Sequence, residues 1–149
     1  MVENRLIEEL CEFLGEAVKD FSMPTKSGED RAPKIVNGYL PPKRSNGDDD
    51  FPFVVVRPDQ GTSDRGATEV VVSLIIGCYT DEFDGYKYCL NILNRIRYAL
   101  ATMENQTLAN KYQLQFPMTW ENPADQPYPQ WQIDMTTRWI FNTPQLSNF

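Results

Sequence analysis

Histidine is absent from all 149 residues. That removes the side chain that most often serves as a general base near neutral pH, and with it the commonest ligand of zinc and non-haem iron. A Ser-His or Cys-His nucleophile pair is excluded outright. No Cys-x-x-Cys, Walker-type loop or Gly-x-Gly-x-x-Gly occurs, so the usual nucleotide and cluster motifs are missing too. Cysteine is scarce: Cys11, Cys78 and Cys89 are widely spaced and each lies in an apolar pattern, as expected of buried free thiols in a reducing compartment. Any disulfide between two of them would leave the third over. Long apolar runs are lacking. The longest, Val70 to Cys78, is interrupted by Ser73 and is far too short for a membrane helix. The opening residues Met1 to Arg5 have neither the basic nor the apolar region of a signal peptide, so the chain is expected to be made and kept in the cytoplasm.

Basic charge is in deficit as well. With 14 Lys and Arg against 21 Asp and Glu, the formal net charge is −7. Broad, sequence-independent nucleic-acid binding needs cations to neutralise phosphates and is disfavoured by this balance, although a local basic patch is compatible with it. What is present is the composition of a globular protein, 41% hydrophobic and 23% charged. A chain of about 150 residues buries roughly two-thirds of its unfolded surface, so its core needs no disulfide or metal.

Leu6, Ile7, Leu10, Phe13, Leu14, Ala17, Val18 and Phe21 recur at helical spacing and predict a helix from about Glu3 to Asp20, with Arg5, Glu8, Glu9, Glu12, Glu16 and Lys19 on its solvated face. Pro24 and Gly28 stop it. Residues Ser22 to Asp50 are rich in Pro, Gly and charge and predict a long mobile loop, relieved by the apolar island Ile35, Val36, Tyr39 and Leu40, a candidate edge strand. Phe51 to Arg57, closed by Pro58, and Glu69 to Tyr79 predict an antiparallel hairpin. The second of these is apolar at nearly every position, as for a central strand covered on both faces. Cys89, Ile92, Leu93, Ile96, Ala99, Leu100 and Met103 mark the buried stripe of a second helix, with Asp84 as its expected N-cap. Alternation then returns in Tyr112, Leu114, Phe116, Met118 and Trp120, interrupted by Pro117, and in Trp131 to Phe141. The expected fold is a single α+β domain over residues 1–149 with element order α-β-β-α-β-β: an antiparallel sheet of four to five strands with two main helices on one face, and a long loop at 22–50.

Two carboxylate groups, Asp48-Asp49-Asp50 and Asp81, Glu82 and Asp84, have the chemistry to hold a hard divalent cation or supply an acid/base pair. Neither has calcium-loop spacing, and the plainer expectations are a solvated charge run and a helix cap. No catalytic, cofactor-binding or metal residue is assigned, and a non-enzymatic protein is expected. Trp131 and Trp139 sit at core spacing, whereas Trp120 and Tyr128, beside prolines, are candidate interface anchors.

The run Phe53 to Pro58, then Val70 through Tyr79 leading into the Tyr86–Leu100 helix, then Trp131 to Phe141, resembles the tail terminator (tail-completion) proteins of long-tailed bacteriophages. With the first helix, the similarity spans most of the chain. It rests on patterns and carries no active site. The resemblance implies a structural virion protein that forms a hexameric ring, caps the finished tail tube and joins it to the head. Implied partners are copies of itself, the tail tube protein and the head–tail connector protein, with DNA only as passing cargo and no membrane or cofactor. The implied location is the host cytoplasm during assembly, then the head-proximal end of the virion tail. Candidate contact residues are Tyr39, Leu40, Lys43, Arg44, Asp48, Asp49, Asp50, Arg65, Trp120 and Tyr128. A head–tail connector or neck subunit shares this size and ring logic. A small metal- or ligand-binding α/β domain using the carboxylates near Asp81 is the alternative of a different class.

Overall fold

The computed structural model describes residues 2–25, 27–40 and 50–143. Helix α1 (Val2–Val18) precedes strand β1 (Lys34–Asn37) and the hairpin of β2 (Phe53–Ser63) and β3 (Ala67–Tyr79). Helix α2 (Tyr86–Ala101) then leads through a single 3-10 turn into β4 (Thr107–Leu108), β5 (Tyr112–Glu121) and β6 (Gln130–Asn142). Among the described residues six strands form one sheet in the order β1-β2-β3-β6-β5-β4. Both helices lie on one face of it, α1 against β1 and β2, α2 against β3 and β6.

The helical stripes fold as their spacing predicts. Leu6, Leu10, Leu14 and Val18 of α1 meet Ile92, Leu93, Ile96 and Leu100 of α2 over the inward residues of the strands. β3 and β6 pair along their whole length, Ala67 opposite Asn142 and Tyr79 opposite Gln130. Residues opposite each other in such a pair share a face, so Val70, Val72, Leu74 and Ile76 line up with Trp139, Thr137, Met135 and Ile133 beneath the helices. Trp139 is fully buried. Its indole N–H donates to Thr137 Oγ1 at 2.9 Å, and that hydroxyl donates to the Val72 carbonyl at 3.0 Å. The one polar atom of the ring is thus satisfied inside the core.

Several expectations need correction. The sheet has six strands, not four to five, and it is mixed: β1 runs parallel to β2, Ile35 beside Val54 and Val36 beside Val55. β3 is not covered on both faces. Its burial alternates, because its helix-side residues are closed off while Val71, Ser73 and Ile75 are only half-buried on the other face. That second face carries a small cluster of its own, in which Phe51, Phe53 and Val55 pack with Val36, Leu40, Ile75 and Tyr79. The Phe53 ring lies where a Cβ on Gly77 would be, so any larger residue at that strand position must displace the ring.

The cap of α2 is Gly85, with no side-chain capping bond, and not Asp84. The reason is steric: a Cβ at 85 would overlap the Trp131 indole and the Thr80 methyl. Asp84 instead pairs with Lys87 at 2.9 Å. Asp50, expected in a solvated charge run, is buried, with Lys34 Nζ at 3.8 Å from its carboxylate. In β5 the alternation holds for Tyr112 and Leu114 and then fails. A register shift between Gln115 and Thr119 brackets Pro117, which has no N–H to donate to the ladder, and leaves Phe116 and Trp120 on the surface.

Candidate association surface

The expected contact residues do not form one site. Tyr39 and Leu40 follow β1 at one edge of the sheet, where Gly38 N–H donates to the Val56 carbonyl at 2.8 Å. The Arg57 guanidinium lies 4.0 Å above the Tyr39 ring and donates to the Gly38 carbonyl at 2.9 Å, holding an otherwise exposed aromatic in place. Trp120 belongs to β5, four strands further on, so the two aromatics are about 19 Å apart at ordinary strand spacing. Arg65 sits at the tip of the β2–β3 turn. Its neighbour Asp64 accepts hydrogen bonds from the Gly66 and Ala67 N–H groups, which hold that carboxyl below the usual carboxylate range. Tyr128 lies at the opposite end of the 13-residue β3, roughly 40 Å from Arg65. Asp50 is in the interior edge beside Lys34. Lys43, Arg44, Asp48 and Asp49 lie outside the described residues.

Both outer strands have uncovered backbone among the described residues. β1 pairs only with Phe53–Val56 of β2, and β4 only with Tyr112 and Gln113 of β5. Each uncovered stretch carries a proline, Pro58 in β2 and Pro117 in β5, and proline interrupts the regular row of donors that strand addition requires. These edges are therefore better suited to contact through side chains than to extension of the sheet. The side chains are there: Phe116 and Trp120 on β5 are 56% and 46% exposed, and Tyr39 is 69% exposed.

A residue that the pattern reading passed over stands out more than any of these. Phe83, between β3 and α2, is 89% exposed. It stacks on Tyr128 with ring centroids 5.7 Å apart, and Tyr128 meets the Trp131 ring edge-on at 6.2 Å. The Tyr128 hydroxyl donates to the Asp81 carbonyl at 2.6 Å and the Trp131 indole N–H to the Thr80 carbonyl at 3.0 Å, which ties the loop to the start of β6. The available signal was a lone aromatic in an otherwise polar stretch, Asp81-Glu82-Phe83-Asp84-Gly85.

The nearby carboxylates are occupied otherwise. Lys87 beside Asp84 holds that carboxyl below its ordinary range, and Glu82 accepts from the Tyr88 hydroxyl at 3.3 Å. Among the described residues no three metal-ligating side chains converge, and no helix is long and apolar enough to cross a membrane. The thiols are set against reactivity. A hydrogen bond with Cys89 and burial push Cys78 far up, and burial pushes Cys11 up to about 11. No protein-family model matches the chain, and no curated protein matches it.

Proposed function

We propose that this chain is a non-enzymatic structural subunit that associates head to tail with copies of itself, and that the assembled form is a hexameric ring closing a phage tail tube. The observation that carries the association is the placement of exposed aromatic side chains on opposite edges of one sheet, Tyr39 beside β1 and Trp120 on β5. Two different patches on one molecule suit a heterologous contact, in which one patch meets the other on the next copy, and such contacts close into rings when the rotation permits. The resemblance to tail terminator proteins supplies the more specific form: six copies, a tube-facing side and a connector-facing side. A net charge of −7 suits a channel through which DNA passes without adhering.

The test is the state of the protein in solution and on tubes. Light scattering over a rising concentration series, followed by electron microscopy of the largest species, should show closed rings, and the rings should be found at one end of tail tubes added to the sample. A species of one chain at every concentration that also leaves tube ends bare would refute the proposal. Rings that bind head connectors but ignore tubes would point to a neck subunit instead.

A further inference from the structure

We infer that the open face of Phe83 is the seat of an arginine side chain from a different protein, the guanidinium stacking on the ring and pairing with the carboxylates of Asp81 and Glu82. The inference rests on the proposed ring assembly and names the chemistry by which that assembly meets a second kind of protein.

Position separates this seat from the contacts between copies. Trp120 pairs with Met135, which pairs with Leu74 of β3. Asn37, two residues before Tyr39, pairs with Val56, which also faces Leu74. Both edge patches therefore lie near the level of Leu74, one on each side of the sheet. Phe83 follows the end of β3 at Tyr79, five residues and roughly 17 Å further along the strand. Copies that join edge to edge leave it uncovered, and each copy presents it at the same level.

The site suits a flat cation. One face of the Phe83 ring is stacked on Tyr128 with an interplanar angle of 19°, and the side chain is 89% exposed, so the other face is open. Gly85 N–H donates to the Glu82 carbonyl at 3.2 Å and Thr80 N–H to the Pro129 carbonyl at 3.0 Å, which braces the loop and leaves little freedom to lose on binding. Guanidinium planes stack on aromatic faces, and this chain makes that contact within itself, Arg57 over Tyr39 and Arg95 over Phe21. Among the described residues no cation lies over Phe83.

Charge selects the partner. Asp81, Glu82 and Asp84 are all exposed. Asp84 is taken by Lys87, whereas neither Asp81 nor Glu82 has an ion pair among the described residues. Burial and then the charges of Glu82, Asp84 and Asp30 raise the Tyr88 phenol above its ordinary range, so the negative field extends over the first turn of α2. A cleft of about 250 Å³ between Glu82, Asp84, Lys87, Tyr88 and Asn91 adjoins the loop. Such a surface repels the phosphates of a nucleic acid and attracts a basic protein. Arginine fits it better than lysine, because a planar guanidinium can stack while its N–H fork reaches a carboxylate.

The deciding experiment titrates isotope-labelled protein with a short glycine–arginine peptide, blocked at both ends, and with its lysine counterpart, read by NMR. The arginine peptide should shift the resonances of Phe83, Tyr128, Asp81 and Glu82 saturably, and the lysine peptide should bind about twofold to fivefold less tightly. Phe83→Leu keeps the apolar bulk without the aromatic face and should abolish that preference. Equal binding of the two peptides to the wild type, shifts centred elsewhere or no binding at all would overturn the seat. In the assembly, Phe83→Leu should form rings at wild-type concentrations and hold tail tubes or head connectors at least about tenfold less tightly, since six seats act together. Failure of that variant to form rings would make Phe83 a contact between copies and overturn the inference, as would unchanged binding to both tubes and connectors. If the wild type stays a single chain yet the arginine peptide binds at Phe83, the ring falls and the seat stands. If rings form and the peptide ignores Phe83, the seat falls and the ring stands.

Discussion

Beneath the helices, large apolar side chains from Leu6 of α1 to Phe141 of β6 are closed off from water, while in the same chain Phe83, Tyr128, Phe116 and Trp120 remain at the surface. The two groups have similar hydrophobicity and different employment. The first is distributed over both helices and five strands, β2 to β6, and meets itself across the sheet. The second lies on a loop and along an edge strand, held by stacking and main-chain hydrogen bonds instead of by burial. Under the proposed function, stability and association draw on different residues, so substitutions should sort cleanly between unfolding and assembly.

The largest effect is expected from Trp139→Ala. Removing a fully buried ring should cost about 3–5 kcal/mol by urea unfolding, and a loss as small as that of a surface substitution would erase the distinction between the two regions. Gly77→Ala should cost about 1–3 kcal/mol by forcing a methyl into the Phe53 ring. Combining it with Phe53→Ala should recover part of that loss, because the clash and the ring are the same contact. Simple additivity in the double-mutant cycle would show that the ring has room to move aside.

The thiols sharpen the comparison through pH. Cys78 and Cys89 should resist alkylation in the native protein at pH 8 and react on unfolding, because both are buried, and the hydrogen bond with Cys89 together with burial keeps Cys78 protonated. A group whose folded-state value is raised contributes stability that is fully present below its unfolded value and is lost as pH rises beyond it. Stability should therefore hold through neutrality and decline above the ordinary thiol range. Rapid native-state labelling of Cys89 would mean that the core under α2 opens readily.

The smallest effect on stability belongs to the surface aromatic. Phe83→Ala should shift unfolding by no more than about 0.5 kcal/mol, although it carries the proposed contact. A loss several times larger would place Phe83 in the folding core and not on an interface.

Much of this division could be read from residue order. Helical spacing identifies the buried faces of α1 and α2 because each stripe is long enough for its period to be unambiguous, and strict alternation does the same for Trp131 to Phe141. Pairing was less legible. The four residues of β1 carry no information about whether they join β2 parallel or antiparallel, since that depends on where the rest of the chain returns. The half-open face of β3 was missed because an all-apolar run looks the same whether its second face is covered by helices or only by a small cluster such as Phe51, Phe53 and Val55. At the start of α2, an acidic residue before a helix suggested a cap, but the approach of the Trp131 ring required glycine there and turned Asp84 toward Lys87. Among the exposed aromatics, Tyr39, Trp120 and Tyr128 are marked in the sequence by the turns and prolines beside them. Phe83, surrounded by carboxylates, gave no periodic signal at all.

The central claim is that one copy meets the next through separate patches, and the mass and shape of the native particle test it most directly. Light scattering coupled to electron microscopy, with protein concentration raised and tail tubes then added, should give a closed ring of six copies seated on tube ends. A single-chain mass throughout, with tube ends unoccupied, would contradict the account.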